Sequence, residues 1–150
     1  MSMGISRLTH DTDAEDLAFE YAWVAQVRIA RPTHQLDAVV AFYRDGLGLK
    51  QVGEFRDHEG YDGVMLGLPG KTYHLEFTRH VSGSPCPVPS ADNLLVLYIP
   101  DRDQLCGIRE RLEALGHVPV EPENPYWRKV SVTYEDPDGW RVVLCNSAGI

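Results

Sequence analysis

The sequence is short of positive charge: 14 Lys and Arg stand against 22 Asp and Glu, a formal net charge of −8. Proteins that grip a phosphate backbone need stripes of Lys and Arg, so this balance argues against a nucleic-acid partner. Long apolar runs are missing as well. No stretch approaches the roughly 18 residues needed to cross a bilayer, which argues against a membrane partner. The acidic opening MSMGISRLTHDTDAEDLAFEY has no basic start followed by an apolar core, so it is not read as a secretory leader. Cysteine is sparse: Cys86, Cys106 and Cys145 are odd in number and form no CxxC pair. That pattern fits reduced thiols in a cytoplasmic protein better than a disulfide framework. What remains, 43% hydrophobic and 24% charged over 150 residues, is ordinary for a globular chain able to bury a core.

Local patterning divides the chain. Residues 1–20 read as a loose acidic arm, and residues 21–150 as one domain with a first module at about 22–80, a linker at 81–91 and a second module at about 92–147. Val, Ile and Trp crowd Ala22–Ala30, a strand stopped by Arg31-Pro32-Thr33, with Thr33 able to cap a helix. Leu36, Val39, Val40, Tyr43 and Leu47 recur at helical spacing, and Gly46 and Gly48 mark the end of that helix. Three short β-like runs follow at Leu49–Phe55, Gly63–Leu68 and Thr72–Thr78, separated by turns at Asp57–Asp62 and Pro69-Gly70. The stretch Ser82–Ser90, rich in Pro, Gly and Ser, reads as a linker.

The pattern then starts again. Leu94–Ile99 is a strand, and Asp101 with Gln104 makes an N-terminal capping pair. A helix carries Leu105, Ile108, Leu112 and Leu115 on one stripe. Strands are expected at His117–Val120, Val130–Tyr134 and Trp140–Cys145, with a tight Asp136-Pro137-Asp138-Gly139 turn before the last. VRIARP matches LVLYIP, RDGLGLKQV matches LEALGHVPV, and KTYHLEF matches DGWRVVL. An internal repeat of about 60 residues follows, each copy a β-α-β-β-β unit. Such a unit cannot cover its own sheet, so two of them are expected to form an α+β domain with a curved sheet, a concave cup and helices on the convex side.

AFYRDGLGLK, YHLEFT and EDPDGWRVVL resemble, in order and spacing, signatures of the vicinal oxygen chelate superfamily, which includes glyoxalases, bleomycin-resistance proteins and dioxygenases. GYDGVMLGLP and ENPYW are similar to a narrower bacterial branch. The resemblance runs from about Ala22 to Asn146. It implies a βαβββ–βαβββ homodimer whose cup holds a small molecule. In many members His, Gln or Glu, one on the first and one on the last strand of each module, hold a divalent metal that acts as a Lewis acid.

On that pattern Glu76 falls where the family has a carboxylate, but its internal counterpart is Val143. Leu94 falls where the family has a histidine, and the corresponding place in the first module comes near Gln26. The set is incomplete, so no metal or other cofactor is expected. The alternative is a displaced site of Gln26, His74 and Glu76 holding Zn, Ni, Mn or Fe, since strand alternation turns His74 and Glu76 to one face. The remaining histidines read as solvated side chains.

The same alternation turns Thr72, His74, Glu76 and Thr78 into the cup, with Arg28, Tyr98 and Arg141 as further lining. Glu76 is costly to bury alone and is expected to pair with Arg28, Arg141 or His74. Tyr126 and Trp127, stiffened by flanking prolines, are candidates for a wall or lid. The expected function is small-molecule binding by Arg28, Tyr98, Tyr126, Trp127 and Arg141 without a complete metal site. The alternatives are a lyase, isomerase or dioxygenase using the displaced metal, and a metal-free enzyme in which His74 and Glu76 are the catalytic pair.

Overall fold

The structure, a computed structural model, describes residues 23–68 and 72–150. The acidic arm at 1–20 and the Pro69-Gly70 turn lie outside the described residues.

The first module contains β1 (Val27–Pro32), α1 (Leu36–Val40, continued by a π-helical turn, Ala41–Gly46), β2 (Lys50–His58), β3 (Tyr61–Gly67) and β4 (Tyr73–His80). Its strands lie in the order β1-β4-β3-β2, with β1 parallel to β4 and the other neighbours antiparallel. The second module repeats the plan with β5 (Leu94–Tyr98), α2 (Arg102–Ala114), β6 (Ser131–Glu135) and β7 (Arg141–Cys145), ordered β5-β7-β6. In each module the first strand lies parallel to the last. The α+β architecture of two related units is as the repeat implies.

The differences from the sequence reading have local causes. β1 begins at Val27 rather than Ala22 and runs through Pro32. Val27 N donates to Thr72 O just before β4 and Thr33 N to Thr78 O within it, so alternation turns the Pro32 nitrogen to the unpaired edge, where a missing N–H costs no ladder bond. Thr33 is not the cap of α1; Gln35 holds that position, and Thr33 Oγ1 accepts from its backbone N–H at 3.0 Å. The Asp57–Asp62 turn shrinks to Glu59-Gly60, both with positive φ, in a tight hairpin between β2 and β3. The strand expected at His117–Val120 is reduced to a single bridge, Val120 to Thr133. Pro119 and Pro122 flank that bridge and cannot donate to a ladder.

The apolar stripe of α1 is buried in full: Leu36, Val39, Val40, Tyr43 and Leu47 pack with Val64, Leu66, Leu75 and Phe77 on the convex face of the first sheet. Leu105 and Leu112 of α2 join Val142 and Leu144 in the same core. Asp101 caps α2, its side chain accepting from the N–H groups of Asp103 and Gln104. The modules meet helix against helix. A Cβ on Gly46 would come within 2.5 Å of the Leu112 side chain, so any larger residue would have to push that side chain aside. Arg111 Nε donates to Gly46 O across the same contact at 3.0 Å.

Candidate functional site

β1 sends alternate side chains to opposite faces, and each face receives an arginine. On the concave face Arg28 stands opposite His74 in the β1–β4 register, and Ala30 stands opposite Glu76. Arg28 Nε donates to His74 Nε2 at 2.9 Å, and its Nη1 lies 2.9 Å from Glu76 Oε2. Arg28 is thus the partner that Glu76 takes, while Arg141 is engaged elsewhere. Glu76 and His74 are buried, yet half of the Arg28 side chain remains open to solvent. Because Nε2 accepts a hydrogen bond, the neutral ring carries its proton on Nδ1. That Nδ1 is buried with no hydrogen-bond partner among the described residues.

The equivalent positions in the second module follow from its register. Leu94 stands opposite Arg141 and Val96 opposite Val143, so Arg28, not Gln26, is the structural counterpart of Leu94. Gln26 precedes β1, exposed, two residues before Arg28. At these positions the second module offers the aliphatic Leu94, Val96 and Val143 beside Arg141, with Val143 fully buried. Arg141 is held by Glu135 at 3.1 Å and by the Glu121 carbonyl at 2.9 Å.

The residues present do not fit the family's divalent ion. The lone pairs of His74 Nε2 and a Glu76 oxygen are both engaged by Arg28, and Leu94 and Val143 offer none. No group of three or more His, Cys, Asp or Glu side chains placed to hold a metal occurs among the described residues.

The remaining candidates are spread out. Tyr98 lines an opening of about 940 Å³ between the modules, with Leu49, Leu68, Tyr73 and Ile108. Arg141 lines a smaller gap of about 300 Å³ between the edges of β1 and β5, beside Ala30 and Leu94. Tyr126 and Trp127 belong to a 3-10 turn, Pro125–Arg128, capped by Asn124 and packed against β6. Their rings meet edge to face at 4.9 Å, and neither lines those two cavities. Of the histidines read as solvated, His117 instead packs edge-on against Phe42 at 4.8 Å.

On the convex face Arg31 makes a cluster that the sequence reading did not find. Its Nη2 lies 2.6 Å from Asp136 Oδ2, which also accepts from the Tyr43 hydroxyl at 2.7 Å. Asp136 Oδ1 accepts from the backbone N–H groups of Asp138 and Trp140. The guanidinium stacks over Trp140 and Phe77, at 4.6 and 5.1 Å. Gln35 adds bonds to Pro137 O and Asp138. Burial, reinforced by the Asp136 charge, pushes the Tyr43 phenol far above the ordinary tyrosine range. The signal was available in parity: if Arg28 faces the cup, Arg31 faces the core, and a core-facing arginine calls for a buried acid.

With this geometry in hand, comparison with known proteins places the chain. Residues 27–78 match the YycE-like N-terminal domain and residues 92–146 the YycE-like C-terminal domain. The uncharacterized protein YycE of Bacillus subtilis is 57% identical over 126 residues, covering 84% of this chain and 91% of that protein. The crystal structure of that YycE, a protein of unknown function, superposes with a TM-score of 0.80 and covers 84% and 92% of the two chains. The trypanothione-dependent glyoxalase I of Leishmania major gives 0.61 at 22% identity, covering 81% of this chain and 85% of its own. TnmS3, an antibiotic-binding protein from Streptomyces sp. CB03234, gives 0.56 at 20% identity, covering 80% and 93%. These last two likenesses concern the fold alone. The chain belongs to the YycE-like family, built on the vicinal oxygen chelate fold of glyoxalases and bleomycin-resistance proteins.

Proposed function

We propose that this protein binds a small molecule in the concave cup of its first module, without the metal ion of the chelate enzymes. The observation that carries this reading is the Arg28 fork, which engages both side chains the first module could offer a metal. Arg28 is half open to solvent and presents a charged, planar donor group at the cup, suited to orienting a polar ligand. The gap of about 300 Å³ between β1 and β5 is lined by Arg31, Tyr43, Phe77 and Trp140 and not by Arg28, His74 or Glu76, so it lies apart from this anchor. Tyr98 and Arg141 line neighbouring openings, and Tyr126 and Trp127 remain candidate walls that a ligand would have to draw inward. Two chains forming a homodimer, and a cytoplasmic setting that keeps Cys86, Cys106 and Cys145 as free thiols, complete the proposal.

The test is elemental analysis of protein purified without tag or chelator, then re-supplied with Zn, Ni, Mn and Fe(II). We expect no stoichiometric metal, and a thermal-shift ligand screen whose hits weaken on Arg28→Gln. One metal per chain, lost on Glu76→Ala, would overturn the reading in favour of the displaced-site enzyme.

A further inference from the structure

The two atoms that Arg28 contacts are those a divalent ion would claim: an imidazole nitrogen lone pair and a carboxylate oxygen. A guanidinium differs from other cations in having its donors fixed in one plane, and in never losing its charge at ordinary pH. It can satisfy both lone pairs at once and cannot be neutralised to make way. The β1–β4 register holds it there, because Arg28 and His74 are opposed residues of a parallel ladder.

We propose that Arg28 is the resident cation of the cup, seated between His74 and Glu76 in place of a divalent ion and excluding metal from them. This rests on the metal-free reading above. The exchange changes the chemistry of the cup. One positive charge set against the Glu76 carboxylate leaves a neutral pair that donates hydrogen bonds, in place of an ion with open coordination positions. It also fixes a proton: with Nε2 accepting from Arg28, His74 is held in the Nδ1–H form. Its buried Nδ1 then has no hydrogen-bond partner among the described residues.

The inference makes two independent demands. Nitrogen-15 NMR of the wild-type imidazoles should show His74 unprotonated at Nε2 and protonated at Nδ1 near neutral pH. A proton on Nε2 would overturn the proposal without any variant being made. Removing the guanidinium should then open the site. Zinc and nickel titrations followed by calorimetry should show no saturable binding at the wild-type cup. Arg28→His, which puts an imidazole on β1 facing His74 and Glu76, should bind saturably, at least about tenfold tighter than the weakest binding the titration can detect, a step of about 1.4 kcal/mol. Arg28→Ala should gain less, and adding Glu76→Ala to Arg28→His should abolish the gain. Circular dichroism confirms that each variant is folded. Metal taken up by the wild type would defeat the metal-free reading itself. A wild type without metal, together with folded variants that gain none, would defeat only the role given to Arg28.

Discussion

Two arginines three residues apart on β1 each meet an acid, and the contrast between them separates architecture from binding. Arg31 points into the seam between the modules, where its Asp136 partner is wholly buried and the ion pair is made across the two repeats. Asp136 is saturated: a guanidinium, a phenol and two backbone N–H groups surround its oxygens. Arg28 points into the cup, half exposed. Each cluster leaves one buried nitrogen without a partner among the described residues, Arg31 Nε and His74 Nδ1, so exposure rather than saturation separates them. A closed cluster shared by both repeats is a joint, and a half-open one presents a charged donor that a ligand can reach.

The largest expected effect comes from breaking the joint. Asp136→Ala removes the acid from a buried pair and strands the Arg31 charge among Tyr43, Phe77 and Trp140. Removing one partner of such a pair costs roughly 3–5 kcal/mol. Urea unfolding should show that loss, with the midpoint falling well below wild type. A loss under about 1 kcal/mol would mean that the modules are held chiefly by their other contacts, among them Gly46 against Leu112 and Phe42 against His117.

Tyr43→Phe probes the same joint more gently and gives it a pH signature. Losing the hydroxyl costs about 1 kcal/mol, since Asp136 keeps its other donors. The folded-state pKa of Tyr43 is raised, so the neutral phenol is favoured in the folded protein and the unfolded chain gives up its proton first. Its contribution is therefore complete below the ordinary tyrosine value of about 10 and lost as pH rises beyond it. Unfolding free energy measured across that alkaline range should fall with pH in the wild type and fall less steeply in Tyr43→Phe. Equal slopes would remove Tyr43 from the account of alkaline unfolding.

Much of this fold was legible because burial leaves a period in the sequence. The α1 stripe from Leu36 to Leu47, the alternation through Tyr73–Thr78 and the repeat of VRIARP as LVLYIP all survive into the structure. The concave grouping of His74 and Glu76 followed from the same alternation. What stayed hidden depends on register between strands far apart in the chain. Taking Gln26 rather than Arg28 as the counterpart of Leu94 was a slip of two residues, which alternation cannot detect because it preserves the face. The Arg31–Asp136 joint spans 105 positions, and the DPDG run reads locally as a turn, with nothing in it to announce a partner in the other repeat. The Val120 bridge shows the opposite limit: Val118 and Val120 suit a strand, while the neighbouring prolines prevent a ladder from forming.

The smallest expected effect on stability sharpens the contrast most. Arg28→Ala removes a guanidinium that solvent already reaches, and water entering its place can solvate the Glu76 carboxylate. The loss should be at most about 1 kcal/mol, in line with partly exposed pairs. Measured in the same urea series as Asp136→Ala, it should fall several-fold short of that variant, while ligand hits found with wild type disappear. Suppose instead that Arg28→Ala costs as much as Asp136→Ala. Both arginines would then be structural ties, Glu76 would be a buried acid held only to keep β1 against β4, and the cup would lose its anchor. A small loss of stability joined to a complete loss of binding is what a site predicts and a tie does not.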